Sequence, residues 1–234
     1  DMINWRDKGI VFSMANTSWC QTCYAWAQQV VKLSNGTFVM FFPAMGRNGG
    51  HIGVASSSHP AGPFKQALAW SLMAGDDPTT FIDDDDEAYL CSNLPTNAPF
   101  CGVLNDDLIS WKTTPTILNG YNKTTWHFSE APWLMRHDGK YILSFMMEYS
   151  DCPDNHGQRN IDPRCSRSHG GFDIGYAVAD VTPAGPPAGG FTPMGTLQAI
   201  TIKVLSSFRK QTTSTCSGIA RGSRMETASL ETLA

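Results

Sequence analysis

The sequence predicts an all-β fold assembled from the blades of a propeller, and repeated hairpins carry this prediction. Three stretches about fifty residues apart each contain an apolar strand, a polar turn rich in Asn, Asp or Gly, and a second strand that opens on an aromatic residue. They occupy residues 26–38, 77–89 and 130–141. A hairpin repeated every roughly forty to fifty residues is typical of propeller blades, and no stretch shows helical periodicity.

A second set of repeats fills the intervals between the hairpins. Residues 1–5 recur as residues 107–111, and an Ile-Gly pair at Ile52 recurs at Ile174, followed each time by a Pro/Gly turn. We expect these segments to form outer strands. The predicted order is the outer part of a first blade in residues 1–24, a second blade in 25–70, a third in 71–118 and a fourth with a long insertion in 125–195. The chain is therefore expected to form a partial propeller of about four blades.

The repeat stops near residue 198. From residue 199 to 234 the sequence is rich in Ser and Thr and basic, and Phe208 is its single aromatic residue. Such a composition cannot bury a core. We therefore expect two units, a partial β-propeller over residues 1–198 and a disordered or non-native tail over residues 199–234.

Carboxylic acids stand at the head of two of the three hairpins. Asp77 and Glu130 open the inner strands of consecutive blades, and equivalent positions of successive blades meet near the propeller axis. The two carboxyl groups should therefore face one another at the mouth of the propeller. Two carboxyl groups that face a common site are the catalytic equipment of glycosidases.

Five segments in this order resemble glycoside hydrolase family 43. They read AWAQQVV…NGTFVMFF, IGVASSSHPAGPF, DDPTTFIDDDDEAYL, SEAPWLMRHDGKYILSF and DIGYAVAD, and the resemblance extends from residue 1 to about residue 198. It implies a five-bladed propeller and inverting hydrolysis of xylosidic or arabinosidic bonds in plant cell-wall polysaccharide.

The resemblance also implies a role for each residue at the mouth. Glu130 would be the general acid that protonates the leaving glycosidic oxygen, and Asp77 would orient that acid and raise its pKa, since a nearby carboxylate disfavours ionisation. Trp26 takes the place of the family's inner-strand Trp and would lie nearest the sugar. Gln29 replaces the Asp of the usual Trp-Ala-Pro-Asp motif and keeps hydrogen-bonding capacity. His127 could donate to sugar hydroxyls, and a buried structural histidine is the alternative.

One catalytic group of the family has no match in this sequence. The family's general base is an Asp on the inner strand of the first blade, which would lie upstream of residue 1. Asp1 and Asp7 belong to the outer-strand repeat and should point away from the axis. The chain alone is therefore expected to hydrolyse glycosides poorly. Two alternatives stay open, a non-catalytic carbohydrate-binding propeller and a fructoside-acting propeller glycosidase, although the latter usually has Glu-Cys in place of Glu-Ala-Pro.

Composition narrows the range of partners. The chain has 234 residues, 41% of them hydrophobic, which is enough for the core of one soluble, monomeric domain. Its net charge of -4 argues against nucleic acid, because nucleic-acid binders carry a basic stripe. No apolar run reaches the length of a membrane span. An oligo- or polysaccharide substrate is the expected partner.

Sequons and cysteines predict a secreted, extracellular protein. Acceptor tripeptides for N-glycosylation begin at Asn16, Asn35 and Asn122, all in predicted turns or loops. Seven cysteines without zinc-ligand spacing favour local disulfides. The expected pairs are Cys91–Cys101 and Cys152–Cys165, with Cys216 left over.

Two further motifs have several interpretations. Cys20 and Cys23 are spaced as a redox pair, but no thioredoxin-like context surrounds them, so a loop disulfide or free thiols are the alternatives. The acidic run of residues 83–87 could bind a structural calcium ion, yet it lacks the spaced ligands and the Gly of an EF-hand loop. We expect no cofactor, and we interpret the run as a solvated hairpin turn.

Overall fold

The computed structural model describes residues 4–20, 23–46, 49–148, 172–180 and 190–196. Within them, nearly all regular structure is antiparallel β-sheet, arranged as three separate sheets that follow one another along the chain. We call these sheets blades A, B and C. The all-β, partial-propeller fold is confirmed, and the predicted second, third and fourth blades correspond to blades A, B and C.

Blade A is a six-stranded sheet in which the order β1-β3-β4-β5 forms the main path, β2 also pairs with β3, and β6 also pairs with β4. Its strands are β1 (Tyr24–Ala25), β2 (Gln29–Lys32), β3 (Phe38–Gly46), β4 (Gly49–Ser57), β5 (Lys65–Gln66) and β6 (Met73–Ala74). Because β1 and β2 pair with the same strand, they act as one interrupted inner strand.

Blades B and C are four-stranded sheets whose strands lie in chain order. Blade B contains β7 (Asp76–Ile82), β8 (Ala88–Asn93), β9 (Pro99–Leu104) and β10 (Thr116–Ile117). A short helix, α1 (Lys123–Trp126), leads into blade C. Blade C contains β11 (Phe128–His137), β12 (Lys140–Glu148), β13 (Phe172–Asp180) and β14 (Thr192–Thr196).

The three inner strands share one irregularity near their start. The pairing register shifts by one residue between Asp76 and Thr79 in β7, and between Glu130 and Trp133 in β11. The residue at each bulge has a positive φ angle, 46° at Asp77, 55° at Ala131 and 42° at Ala27 between β1 and β2. A non-glycine residue with positive φ is uncommon, so its recurrence in three blades marks an equivalent position.

Apolar layers lie between successive blades. Side chains of β3 and β4 pack against those of β8 and β9 between blades A and B, with Phe41 and Leu90 fully buried. A larger layer between blades B and C contains Trp126, Tyr141 and Phe145. Each sheet therefore buries the face that it turns toward its neighbour, as stacked propeller blades do.

Residues 4–20 differ from the predicted outer part of a first blade. They contain a 3-10 helix, Met14–Asn16, and no strand in the part of the segment that the structure describes. Phe12, Met14 and Trp19 pack instead on the remaining face of blade A, where Phe42 is buried. The Phe64 N–H donates to the carbonyl of Val11 (2.8 Å) and fastens the segment to that blade.

The Ile-Gly repeats mark third strands, which are not at the sheet edge. Gly53 lies in β4 and Gly175 in β13, and both strands have partners on either side. A Cβ atom at Gly53 would stand 2.4 Å from the ring of Phe42, and one at Gly175 would stand 2.3 Å from Met147 Sδ. The missing side chain thus lets a large neighbour lie flat on the strand. Blade B has the same device at Gly102, against Trp111.

Residues 107–111 form a turn where an outer strand was expected. Asp107 accepts hydrogen bonds from the main-chain N–H of Ile109 (2.9 Å) and Ser110 (3.1 Å), as a turn-capping aspartate does. Trp111 then makes a single bridge to Leu104. The repeat follows β9 and precedes the edge strand β10, but it is a turn and not a strand.

The disulfide between Cys91 and Cys101 is confirmed. The two residues lie directly opposite each other on β8 and β9, with Cα atoms 4.1 Å apart and side chains almost fully buried. Cys20 and Cys23 are also joined by a disulfide, which excludes free thiols for that pair in this structure. Cys152, Cys165, Cys216 and the tail of residues 199–234 lie outside the described residues.

No described helix has the length and apolarity of a membrane span.

Candidate active site

Asp77 and the segment of Glu130 meet at the heads of adjacent inner strands. Asp77 Oδ2 accepts a hydrogen bond from the main-chain N–H of Ala131, at 3.1 Å, across the boundary between blades B and C. Both residues occupy the bulge position of their strands. The positive φ at Asp77 turns its carboxyl group toward the next blade, and the positive φ at Ala131 turns an N–H group to meet it.

The surroundings of Asp77 change its acidity. Burial raises the pKa of Asp77 to about 6, the charges of Asp76 and Glu130 add to this rise, and the hydrogen bond from Ala131 opposes it. Glu130 itself has an exposed side chain. The structure thus places the two predicted carboxyl groups close enough for their charges to interact, one half-buried and one open to solvent.

Asp76 is a third carboxyl group at this mouth, which the sequence reasoning missed. Aligning the bulges makes Asp76 the equivalent of Glu130 and Trp26, because each stands just before the positive-φ residue. Burial raises the pKa of Asp76, while hydrogen bonds from the Asp77 N–H (2.9 Å) and from the Trp26 side chain oppose the rise. The Asp-Asp-Pro motif contains both acidic residues, but alignment of the hairpins on Asp77 places the position equivalent to Glu130 one residue too late.

Trp26 joins blade A to this group of carboxyl groups. Its half-buried indole donates a hydrogen bond to Asp76 of blade B. The aromatic ring therefore lies at the mouth, beside the carboxyl groups with which it was predicted to share a substrate.

The amide of Gln29 is engaged with the neighbouring inner strand. Gln29 Nε2 donates to the carbonyl oxygen of Thr80 at 3.2 Å, and Gln29 Oε1 accepts from the Thr80 N–H. Both ends of the amide thus bind main chain of blade B. The contact holds blades A and B together beside the mouth, and leaves the second N–H of Nε2 and one lone pair of Oε1 for a ligand.

His127 ends helix α1 in a left-handed conformation, with φ of 49°. Its N–H donates to Lys123 O (3.2 Å), and its carbonyl accepts from the Glu148 N–H (2.7 Å). Trp126, just before it, is fully buried and stacks on Phe145 with ring centroids 5.4 Å apart. The main chain of His127 is therefore rigidly held three residues before Glu130, with its imidazole half-buried.

The acidic run at the opposite ends of these strands is a hairpin turn, but its first residue is not solvated. Asp83 is 8% exposed and accepts hydrogen bonds from the Tyr141 hydroxyl and the Arg136 guanidinium, both on blade C. Although burial opposes it, the hydrogen bonds of Tyr141, the Asp84 N–H and Arg136 lower the pKa of Asp83. The described residues include no group of three or more His, Cys, Asp or Glu side chains placed to hold a metal ion.

A cavity of about 450 Å³ also lies at this turn end, between residues such as Lys32, Asp86 and Leu108. It is lined by the ends of β2 and β7, whereas Asp77 and Trp26 stand at the starts of the inner strands. This cavity is therefore separate from the mouth that carries the carboxyl groups.

Stacked blades with interacting carboxyl groups and an aromatic ring at the mouth define a β-propeller with a carboxyl-lined mouth. The chain belongs to the family described as glycosyl hydrolases family 43, whose model matches residues 1–168. The resemblance found in the sequence is thereby confirmed.

Two relatives are named for activity on arabinoxylan, xylosides or arabinosides. The chain is 28% identical over 214 residues to an arabinoxylan arabinofuranohydrolase of Bacillus subtilis (strain 168). The aligned region covers 80% of this chain and 39% of that protein. It is 33% identical over 88 residues to xylosidase/arabinosidase 43A of Humicola insolens, covering 36% of this chain and 26% of that protein. The chain thus spans well under half the length of both relatives.

Solved structures share the fold. An α-L-arabinofuranosidase from Clostridium thermocellum ATCC 27405 superposes with a TM-score of 0.59 at 27% identity, covering 84% of this chain and 59% of that one. An endo-1,4-β-xylanase from Bacteroides thetaiotaomicron VPI-5482 gives the same TM-score at 25% identity, covering 83% and 60%. Most of this chain therefore matches about three fifths of a family propeller.

Proposed function

We propose that this mouth is the acid half of an inverting glycosidase site for xylosidic or arabinosidic bonds in oligo- or polysaccharides. The observation that carries the proposal is the hydrogen bond from Ala131 to Asp77, which fixes the residue next to Glu130 against a second carboxyl group. Family membership supports the reaction class, and the names of the relatives support the sugar class.

Glu130 is the general acid in this proposal. Its exposed carboxyl group can reach a glycosidic oxygen at the mouth, whereas Asp77 is half-buried and held by main chain. The charge of Glu130 contributes to the raised pKa of Asp77, so the two carboxyl groups lie close enough to interact. Asp77 orients the acid in this proposal, because it binds the main-chain N–H of the residue next to Glu130.

The described residues supply no evident general base. Asp76, the third carboxyl group at the mouth, already binds the Asp77 N–H and the Trp26 indole. Inversion requires a carboxylate on the opposite face of the sugar to activate water. The alternative function is a propeller that binds carbohydrate without cleaving it.

Azide distinguishes the two functions, because this anion needs no deprotonation and can attack the sugar carbon in place of activated water. The product is a glycosyl azide, and Glu130 gives its proton to the departing oxygen. We expect azide to accelerate formation of glycosyl azide from methyl xyloside or methyl arabinofuranoside, whose leaving group departs as methanol only after it takes a proton. Glu130→Gln should slow the azide-dependent reaction about a hundredfold, near the lower end for loss of a general acid.

Glu148→Gln is the matched control, since this exposed carboxylate lies on the neighbouring strand and accepts a hydrogen bond from the Ser129 hydroxyl (3.2 Å). It should behave as the parent protein. Sugar binding without any azide-dependent turnover in the folded chain would support the binding propeller and overturn the glycosidase.

A secreted location belongs to the same proposal. Asn16, Asn35 and Asn122 are all exposed, in a short helix, a turn and a helix cap. Two disulfides are formed within the described residues. Both features suit an oxidising, glycosylating compartment. Mass spectrometry of protein from a eukaryotic secretory host should find glycans at these positions, and unmodified sequons would count against this location.

A further inference from the structure

An exposed aromatic residue stands at the head of blade A without a role in the site described so far. Tyr24 is 79% exposed, and its partner across the sheet, Met45, is 40% exposed. The two exposed apolar side chains adjoin each other, and contiguous exposed apolar surface, unlike single exposed residues, marks binding sites.

Tyr24 occupies in blade A the position that His127 occupies in blade C. Gly53 pairs with Phe42, and Gly175 pairs with Phe145, so the two second strands can be aligned on these phenylalanines. Three residues further along stand Met45 and Glu148. Met45 pairs with Tyr24, whereas the Glu148 N–H binds the carbonyl of His127. The repeat therefore places Tyr24 at the same rim of the propeller as a predicted substrate-binding residue.

The exposed pair faces the carboxyl groups. Residues directly opposite each other in antiparallel strands project to the same face, so Tyr24, Met45 and Gly50 share one face of blade A. Met45 lies four residues beyond Phe41, which is buried between blades A and B, so this face looks toward blade B.

Contacts continue from Tyr24 and Met45 to Gly75, the residue before Asp76. A Cβ atom at Gly50 would lie 3.6 Å from Met45 Cε and 3.1 Å from the carbonyl oxygen of Gly75. The Gly75 N–H donates to Gly50 O at 3.1 Å, and Asp76 follows in the chain. From Tyr24 to Gly75 there are three strand spacings of about 4.8 Å, or about 14 Å. The surface from Tyr24 to Gly75 is therefore longer than one sugar ring.

We infer that Tyr24 and Met45 form an accessory subsite that binds a further unit of an oligosaccharide whose first unit lies against Trp26. The inference rests on the proposed function. The tyrosine ring offers a flat apolar face for the C–H groups of a pyranose and a hydroxyl group for its polar edge. The thioether of Met45 adapts its shape beside it. The ligand class is a pentose oligosaccharide of two or more units.

Affinity for xylose and xylotriose tests the subsite directly, measured by calorimetry with the full chain carrying Glu130→Gln to prevent hydrolysis. We expect Tyr24→Ala to weaken xylotriose binding about two- to tenfold, the range for one aromatic contact. Xylose affinity should change by less than about twofold, because a single sugar does not reach Tyr24. Tyr24→Phe should retain most of the affinity, since it keeps the ring.

Trp70→Ala is the matched control. Trp70 is 76% exposed, but it lies between β5 and β6 on the outer side of the same blade. It should leave both affinities unchanged. An unchanged xylotriose affinity in Tyr24→Ala, or an equal loss for both sugars, would overturn the subsite while leaving sugar binding intact. Failure of the folded parent chain to bind either sugar would overturn the proposed function together with the subsite.

Discussion

Asp77 accepts a hydrogen bond from the main-chain N–H of Ala131 at 3.1 Å, and both residues stand at the bulge of an inner strand. One blade thus contributes the acceptor and the next contributes the donor, through the same backbone irregularity. Moving either bulge by one residue would reverse the direction in which these groups point. The relative position of Asp77 and Glu130 therefore depends on backbone geometry that neither side chain creates.

Asp77 makes the protein less stable when it ionises. Folding raises its pKa from 3.8 to about 6, so stability from this group is fully present below pH 3.8 and is lost as pH rises through 6. The free energy that corresponds to this pKa shift is halved because Asp77 is partly open to solvent. We therefore expect the unfolding free energy of Asp77→Asn, relative to the parent, to rise by about 1–2 kcal/mol from pH 4 to pH 7. Urea unfolding at both pH values measures this difference, and a constant difference would contradict it.

The charge of Asp76 should raise the pKa of its neighbour Asp77. Because the charge of Asp76 contributes to the raised pKa of Asp77, Asp76→Asn should lower the pKa of Asp77 while keeping an oxygen acceptor for the Asp77 N–H. NMR titration of the Asp77 carboxyl carbon follows that pKa directly. Asp107→Asn, a turn residue remote in sequence, is the control and should have no effect. An unchanged Asp77 titration in Asp76→Asn would show that the charge of Asp76 does not contribute to the raised pKa of Asp77.

Tyr141 should stabilise the junction of blades B and C through Asp83. The hydroxyl of this fully buried tyrosine donates to Asp83, so Tyr141→Phe should cost about 1–3 kcal/mol of unfolding free energy. Tyr121→Phe removes a more exposed hydrogen bond to Asn97 O (3.0 Å) and should cost less. The Asp83 pKa is lowered, so this contribution is present above pH 3.8 and fades as pH falls. Equal losses in both variants would refute the special role of Tyr141.

The two disulfides should differ in their contributions. Cys91 and Cys101 are ten residues apart, and Cys20 and Cys23 are three apart. Chain-entropy arguments predict losses of about 3 kcal/mol for Cys91→Ala/Cys101→Ala and about 2 kcal/mol for Cys20→Ala/Cys23→Ala. Denaturant unfolding under oxidising conditions compares them. A larger loss from the shorter loop would exclude loop closure as the dominant effect.

The blades could be predicted because each repeats an apolar hairpin at a regular interval, and the Cys91–Cys101 pair could be predicted because its spacing spans one hairpin. The bulges could not, since a bulge adds one residue without changing the apolar pattern around it. This is why Asp77 was aligned with Glu130 when Asp76 is the true equivalent. The burial of Asp83 was equally hidden, because its partners Arg136 and Tyr141 come from another blade.

The Gln29 amide binds the free edge of β7, the inner strand of blade B, as a neighbouring strand would. Thr80 turns its N–H and C=O away from β8, and the side-chain amide of Gln29 binds both, as a neighbouring peptide group would. A carboxylate at this position could accept from the N–H but could not donate to the carbonyl. Glutamine therefore lets blade A close the open edge of blade B with one residue, and it does so through the main chain of Thr80.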